Sequence, residues 1–149
     1  MKLEGTQKFS APSAQVFDAI LNPEVLKASI PGASAVTYSS PTQLQVEVSL
    51  PFPGLHGPFE VPINITNKQA PTTVSLGVNH KGKGGAVEAS CQISLADEAD
   101  GNALLTYLAS ANLEGLIAVA NNPIGQGIVK SKLGEFFKNL EKEVTQARV

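Results

Sequence analysis

Cys91, His56 and His80 are the residues of this sequence whose side chains most readily carry nucleophilic or metal chemistry. A nucleophilic thiol needs a neighbouring base held by a third group, and a metal site needs ligands at short, regular spacings. The histidines lie in different segments, and no CxxC-like or i, i+4 spacing links any of the three residues. Cys91 alternates with apolar residues, as a small core residue does. We therefore predict no catalytic residue and no metal site.

The glycine-rich segment 81–85, KGKGG, has the composition of a phosphate-binding loop. It lacks the GxxxxGK[ST] spacing, and the alternating residues on both sides of it predict two antiparallel strands rather than a strand followed by a helix. We interpret it as a flexible hairpin turn. The Lys and Arg residues are scattered and the net charge is −2, so the basic surface of a nucleic-acid-binding protein is missing.

Two polar side chains, His80 and Tyr107, share the alternation of the apolar positions on their strands. Continuing the pattern of Val74, Leu76 and Val78 places His80 on the inner face of the sheet or at its rim. There it is either a solvated strand end or a ligand contact. Tyr107 can bury its ring while its hydroxyl group finds a partner, which suits either the core or the polar end of a ligand.

Alternation of apolar and polar residues, loose in segment 2–9 and clean in the longer segments from residue 43 on, predicts most of the strands that position these side chains. Segment 43–50 is the clearest case, with Leu44 and Val46 on one face. Prolines in the loop 51–58 prevent the ladder from continuing, and Pro62 indicates an edge strand or a bulge. The predicted strands cover residues 2–9, 35–39, 43–50, 59–66, 74–78, 87–95 and 103–113.

Helical spacing replaces alternation in two regions. Pro12 and Pro23 each begin a short helix, because proline fits the first turn, and Ile30-Pro31-Gly32 ends the second. From residue 123 to about 147, an apolar stripe predicts one helix of about 37 Å, long enough to lie across a sheet. Gly127, Ser131 and Gly134 share a face of it, which either a ligand or close packing on the sheet would explain.

These elements predict an α+β fold in which a curved antiparallel sheet of about seven strands grips the long C-terminal helix. With 149 residues, 42% of them hydrophobic, the chain is expected to form a single domain over residues 1–149. The lone cysteine and the lack of an N-terminal leader favour the cytoplasm. No apolar run reaches the roughly 20 residues that cross a bilayer, so any membrane contact would be peripheral, at the inner face.

The element order is similar to that of the START-like (Bet v 1-like, SRPBCC) helix-grip superfamily. More narrowly, the N-terminal helices resemble the signature of the carbon monoxide dehydrogenase G-subunit family. Leu105-Thr106-Tyr107 and the pair Phe136-Phe137 also lie where that family has similar residues. The N-terminal residues that carry the resemblance are Pro12, Val16, Phe17, Ile20, Pro23, Leu26 and Ile30-Pro31-Gly32.

The resemblance implies an apolar cavity between the sheet and the long helix, and a role beside molybdenum-containing carbon monoxide dehydrogenases. Members serve in maturation, or carry a quinone-type lipid and link the enzyme to the membrane. Several have a C-terminal extension for membrane attachment, which we do not expect here because the chain ends just after the helix. We expect a quinone or lipid ligand, no covalently bound cofactor, and a molybdenum-containing dehydrogenase as partner.

Composition also favours a cavity, because the inward positions are mainly Val, Leu, Ile and Ala and the chain has no tryptophan. Around the proline-rich loop, Phe52, Leu55 and Phe59 would form a gate or a weak membrane-facing tip, or fold back onto the sheet. The residues predicted to bind the ligand are Leu44, Val46, Phe52, Phe59, Val61, His80, Tyr107, Ala109, Gly127, Ile128 and Ser131.

The preferred hypothesis is therefore non-catalytic binding of a lipophilic small molecule by an accessory protein of a redox enzyme. A protein–protein adaptor or maturation factor with a solid core is the first alternative. The second is a cyclase- or hydratase-like enzyme on the same fold, for which His80 and Tyr107 would have to supply the acid/base pair. The fold by itself does not decide among these functions.

Overall fold

The computed structural model describes residues 1–49, 58–82, 85–115, 118 and 121–147, with side chains to residue 145. These residues form an antiparallel sheet of seven strands and three helices, which confirms the predicted α+β class. The strands and helices are β1 (Lys2–Phe9), α1 (Ser13–Ile20), α2 (Pro23–Ser29), β2 (Ala33–Ser40), β3 (Gln43–Val48), β4 (Phe59–Gln69), β5 (Thr73–Gly82), β6 (Gly85–Asp97), β7 (Ala103–Glu114) and α3 (Pro123–Ala147).

The strand order in the sheet is β1-β7-β6-β5-β4-β3-β2, so β2 to β7 form a meander and β1 pairs with the last strand. All seven predicted strands are present, and their ends differ from the prediction by a few residues. Because successive side chains point to opposite faces, the apolar set of each strand faces α3 and the polar set faces outwards. The structure therefore has the predicted architecture, in which the sheet packs around the long C-terminal helix.

Side-chain hydrogen bonds fix the two short helices. Asp97 at the end of β6 accepts from the Ser13 backbone N–H (2.8 Å) and hydroxyl group (2.9 Å), which satisfies donors in the first turn of α1. At the far end of α2, the Asn139 side-chain amide donates to the Ser29 carbonyl (3.0 Å). This bond joins α2 to α3 and satisfies a carbonyl that the helix itself leaves free.

Two apolar clusters fill one end of the grip. The main core packs α1 and the second half of α3 on the sheet, and within it Tyr107 and Phe137 stack with ring centroids 4.5 Å apart. A second cluster under α2 is built on Leu26, Val36, Leu44 and Val46. We call the part of the grip that lies near α1 the closed end.

The pairing between β4 and β5 stops part-way along both strands. Residue pairs reach Asn64 and Gly77, and none joins residues 59–63 of β4 to residues 78–82 of β5. Those two stretches pair with β3 and β6 on their other sides. We call this incompletely paired boundary the β4–β5 seam.

Pro62 explains why the ladder stops there. The Ile65 N–H donates to the Thr42 carbonyl (2.7 Å), on the β3 side of the strand. Because backbone groups alternate in direction along a strand, the nitrogen of Pro62 faces β5, where it has no hydrogen to donate. The expectation that Pro62 marks an edge is wrong, since β4 lies inside the sheet, and the bulge lies further on, between Ile65 and Asn67.

Candidate functional site

The inner-face residues of the long strands are buried at one end and half-buried at the other. On β7, Leu105 is fully buried and Tyr107 is 7% exposed, whereas Ala109, Ala111 and Leu113 are half-buried. The same change occurs on β6 between Ile93 and Val87. The grip is therefore closed near α1 and open at the opposite end, where apolar side chains stay accessible. We define this open end by Val61, Val78, His80, Val87, Ala89, Ala109, Ala111 and Leu113.

Small side chains cover the middle of the open end. The register places Val78, Ala89 and Ala111 side by side on three neighbouring strands, and His80, Val87 and Leu113 in the next row outwards. The main core extends towards this region only as far as Leu76 and Cys91. The strands therefore carry little side-chain volume where the core ends.

A third apolar cluster lies beyond these small residues. Its described members are partly buried and join the outer row of the sheet to the first half of α3: Met1, Phe59, Val87, Leu113, Ile128 and Val129. Val61, Val78, Ala89, Ala109 and Ala111 belong to none of the three clusters formed by the described residues. Their apolar surface is the surface that a guest molecule could cover, with a gain of about 25 cal/mol per Å² buried.

The two halves of α3 also differ in burial. Phe137, Leu140 and Val144 in its second half are at most 2% exposed, whereas Ile128, Val129 and Leu133 in its first half are half-buried. Hydrogen bonds hold its start in place: Asn122 accepts from the Gly125 N–H (2.7 Å), and Asn121 donates to the Leu113 carbonyl (3.2 Å). The first half of α3 therefore lies beside the open end, with its own apolar side chains only half-buried.

The predicted site residues fall into several groups. Phe59, Val61, His80, Ala109 and Ile128 lie at the open end or in the cluster that borders it. In contrast, Leu44, Val46 and Tyr107 are covered by the protein's own side chains in the packed clusters. Phe52, like Leu55 and His56, lies outside the described residues.

Gly127 and Ser131 are exposed on α3 rather than turned towards the sheet. A Cβ atom added to Gly127 or to Gly134 would meet nothing within 4 Å. Close packing against the sheet is therefore not the reason for glycine at these positions. Nothing else in the described residues explains the choice of glycine there.

Cys91 borders the open end and is chemically quiet. Burial raises the pKa of its thiol from 9.0 to about 11, so the thiol stays protonated at neutral pH and is a poor nucleophile. Burial, and to a smaller extent the neighbouring Cys91, also raise the pKa of Tyr107. The Tyr107 hydroxyl lies against Gly5 of β1, where a side chain would collide with it.

His80 and Tyr107 do not converge on one site. Tyr107 pairs with Ile93 and His80 pairs with Val87, and these two partners are six residues apart on β6. At about 3.3 Å per residue, the two backbone positions are separated by about 20 Å along the sheet. The structure therefore does not bring together the acid/base pair that the enzyme alternative requires.

The outer face of the sheet carries two open depressions of about 320 and 530 Å³. Residues of the outer face, which point away from α3, line both of them, and Lys2, Ser90 and Ser110 are shared by the two linings. Both depressions therefore lie outside the grip. In the part of the chain that the structure describes, no group of His, Cys, Asp and Glu is arranged to hold a metal ion.

Sequence reasoning missed several residues of the open end: Val78, Val87, Ala89, Ala111 and Leu113. Their parity marked them as inward-facing, as it did the residues of the core. What separates them from the core is the loss of burial along the strand, and alternation carries no information about that loss. The run of small residues Ala89, Ala109 and Ala111 was the one sequence signal that could have indicated it.

Comparison with known proteins places these observations in a family context. Residues 5–145 match a family model for CoxG, the carbon monoxide dehydrogenase G subunit. No curated protein matches the sequence significantly. Within the described residues, no helix is both long enough and apolar enough to cross a bilayer.

Solved structures share the fold over nearly the whole chain. A conserved protein from Geobacillus kaustophilus has a TM-score of 0.88 and 23% identity, covering 99% of this chain and 97% of that one. A START superfamily protein from Mycobacterium smegmatis has a TM-score of 0.72 and 13% identity, covering 98% of each chain. Ara h 8.0201 has a TM-score of 0.73 and 18% identity, also covering 98% of each. These likenesses confirm the START-like helix-grip fold.

Proposed function

The chain belongs to the carbon monoxide dehydrogenase G-subunit (CoxG) family, and from that premise we propose that it binds a lipophilic small molecule at the open end of the grip. The family and the START-like fold suggest a ligand-binding accessory protein. We further propose that the ligand is quinone- or lipid-like and that the enzyme served is a carbon monoxide dehydrogenase-type molybdenum hydroxylase. On this proposal the protein does not catalyse a reaction of its own.

The observation that carries the proposal is the partial cover over the open end. Ligand sites are typically concave and mostly apolar, with few polar groups. The described side chains that define the open end are apolar except for His80, and they are half-buried rather than fully covered. A protein-docking surface would also use accessible apolar side chains, but those of the open end lie on the inner face of the sheet, beside the first half of α3, which favours a small molecule over a partner protein.

Equilibrium dialysis with 2,3-dimethyl-1,4-naphthoquinone tests the binding site directly. Both carbon atoms of its quinone double bond carry methyl groups, which hinders covalent addition of a thiol such as that of Cys91. We expect saturable binding that Ala89→Phe weakens at least about tenfold, because the new ring occupies the space above the strand. Ala96→Phe is the matched control, since Ala96 lies on the same strand but on its exposed outer face.

A wild-type protein that does not bind the quinone, and does not bind a fatty acid such as cis-parinaric acid either, would contradict the proposed site. Equal loss of binding in both phenylalanine variants would point to general destabilisation instead. Far-UV circular dichroism and thermal unfolding of each variant separate these results.

The proposed partner needs a separate experiment. Native mass spectrometry of the protein purified gently from its own host should show a bound lipophilic molecule, and the same preparation should retain a molybdenum hydroxylase. Recovery of the hydroxylase with a protein that carries no ligand would favour the adaptor alternative.

A further inference from the structure

His80 is the one polar side chain among the residues that define the open end. It lies on the inner face of β5 with Val74, Leu76 and Val78, and it pairs with Val87 of β6. The N-terminal ammonium group is also near this end, where one of its three N–H groups donates to the Ala111 carbonyl (3.0 Å). Among the side chains that define the open end, His80 is the one that can form a hydrogen bond with a ligand.

No described residue forms a hydrogen bond or an ion pair with the half-buried His80 side chain. Its Nε2 atom lies 3.1 Å from the position that a Cβ atom would take on Gly82, so the ring folds along its own strand over a glycine. A half-buried imidazole without a partner leaves an N–H group unsatisfied by protein. That group is free to donate to a guest.

The β4–β5 seam lies beside this ring. His80 belongs to the stretch of β5 that no residue of β4 pairs with, and Pro62 removes the donor that would extend the ladder towards it. On its other side, towards β6 and β7, lie the apolar side chains of Val87 and Leu113. His80 thus occupies the boundary between the incompletely paired seam and the apolar space.

We propose that His80 is a specificity-determining residue, which donates a hydrogen bond to a carbonyl or carboxylate oxygen of the ligand. The apolar body of the ligand then lies over Val78, Ala89 and Ala111. The ligand class is an apolar molecule with one hydrogen-bond-accepting end. This inference rests on the proposed function, because it assigns the polar contact of the same site.

The test compares matched probes by equilibrium dialysis. 2,3-Dimethyl-1,4-naphthoquinone and 2,3-dimethylnaphthalene have the same rings, but only the first carries acceptor oxygens, and 2-naphthoate presents a carboxylate instead. We expect wild-type protein to prefer an oxygen-bearing probe by about tenfold, the effect of one hydrogen bond in an apolar site. His80→Leu should remove that preference while leaving the hydrocarbon bound as before.

His80→Gln, which keeps a donor, should retain part of the preference, and Asn79→Leu on the exposed outer face should change nothing. Preference for the quinone would indicate that His80 donates to a carbonyl oxygen of the ligand, and preference for naphthoate would indicate that it donates to a carboxylate oxygen. Equal binding of all three probes, or a preference that survives in His80→Leu, would overturn the role of His80 while the proposed function stands. Failure of wild-type protein to bind any probe would overturn both.

Discussion

At the scale of single residues, surroundings rather than side-chain type determine what this protein can do. Cys91 has the reactive group of a nucleophile, yet burial raises the pKa of the thiol to about 11. His80 is an ordinary histidine whose position at the open end gives it a role. The residue type indicates which reactions a side chain could take part in, and the packing around the side chain determines whether it can do so in the folded protein.

The raised pKa of Cys91 predicts how stability changes at alkaline pH. In the unfolded chain the thiol ionises near 9.0, and in the folded protein near 11. Its contribution is therefore complete below pH 9 and is lost as the pH rises from about 9 to 11, a difference of at most about 3 kcal/mol. Urea unfolding at about pH 8 and pH 10.5 should show a smaller loss for Cys91→Ala than for wild type. Equal losses would contradict the shift.

Gly32, the last residue of the Ile30-Pro31-Gly32 signature, has both a conformational and a packing reason to be glycine. Its φ is +80°, and an added Cβ would lie 2.7 Å from the Ser49 carbonyl oxygen. We expect Gly32→Ala to lower the free energy of unfolding by about 2 kcal/mol or more.

Gly101 is the matched control, because its φ is +81° but nothing lies within 4 Å of an added Cβ. Gly101→Ala should cost about 1 kcal/mol, the conformational part alone. If urea unfolding showed the same loss of stability in both variants, the collision with Ser49 would not contribute to the destabilisation of Gly32→Ala.

At the scale of elements, one proline weakens the sheet locally. Pro62 turns a position without an N–H group towards β5, and the pairing of β4 with β5 ends before it. The seam is therefore the boundary in the sheet where two adjacent strands are incompletely joined beside the open end. We therefore expect β4 and β5 to separate more easily at the β4–β5 seam than along their paired residues.

Hydrogen exchange should detect the seam. The Glu60 amide faces β5 across it, whereas the neighbouring Val61 amide faces β3, with which β4 is paired. We expect Glu60 to exchange much faster than Val61 by NMR, because an amide outside a ladder opens easily. Pro62→Thr should lengthen the ladder and slow exchange at Glu60. Similar protection of the two amides in wild type would show that the seam is closed.

At the scale of the whole molecule, the two ends of the grip differ in how tightly they are packed. The closed end packs α1, the sheet and the second half of α3 into one core, and this core supplies the stability. The open end leaves apolar surface half-covered, which costs stability but keeps room for a ligand. One sheet and one helix can serve both purposes because packing changes along their length.

Two alanines on the same face of β7 measure this difference. Ala103 is fully buried at the closed end, and Ala111 is half-buried at the open end. Ala103→Leu should lower the free energy of unfolding by about 1–3 kcal/mol, because a filled core resists added volume. Ala111→Leu should change it by less than about 0.5 kcal/mol. Comparable destabilisation of both variants in urea would mean that the open end is packed as tightly as the core.

The sequence by itself determined the elements and their faces. Alternation located most of the strands, Pro23 marked the start of α2, the segment Ile30-Pro31-Gly32 followed its end at Ser29, and helical spacing located α3. These features depend on each residue and its near neighbours in the chain. The resemblance carried by the N-terminal helices likewise identified the family that the comparison confirms.

Only the tertiary structure decided which inward-facing residues are core and which are accessible. Tyr107 and Ala111 have the same parity on the same strand, yet Tyr107 stacks on Phe137 and Ala111 lies beyond the core. The position of Pro62 inside the sheet, rather than at its edge, also depended on strands distant in sequence. The burial of a residue depends on side chains that pack against it from distant parts of the chain. The local alternation pattern therefore predicts which face of the sheet a residue lies on, but not whether other residues cover it.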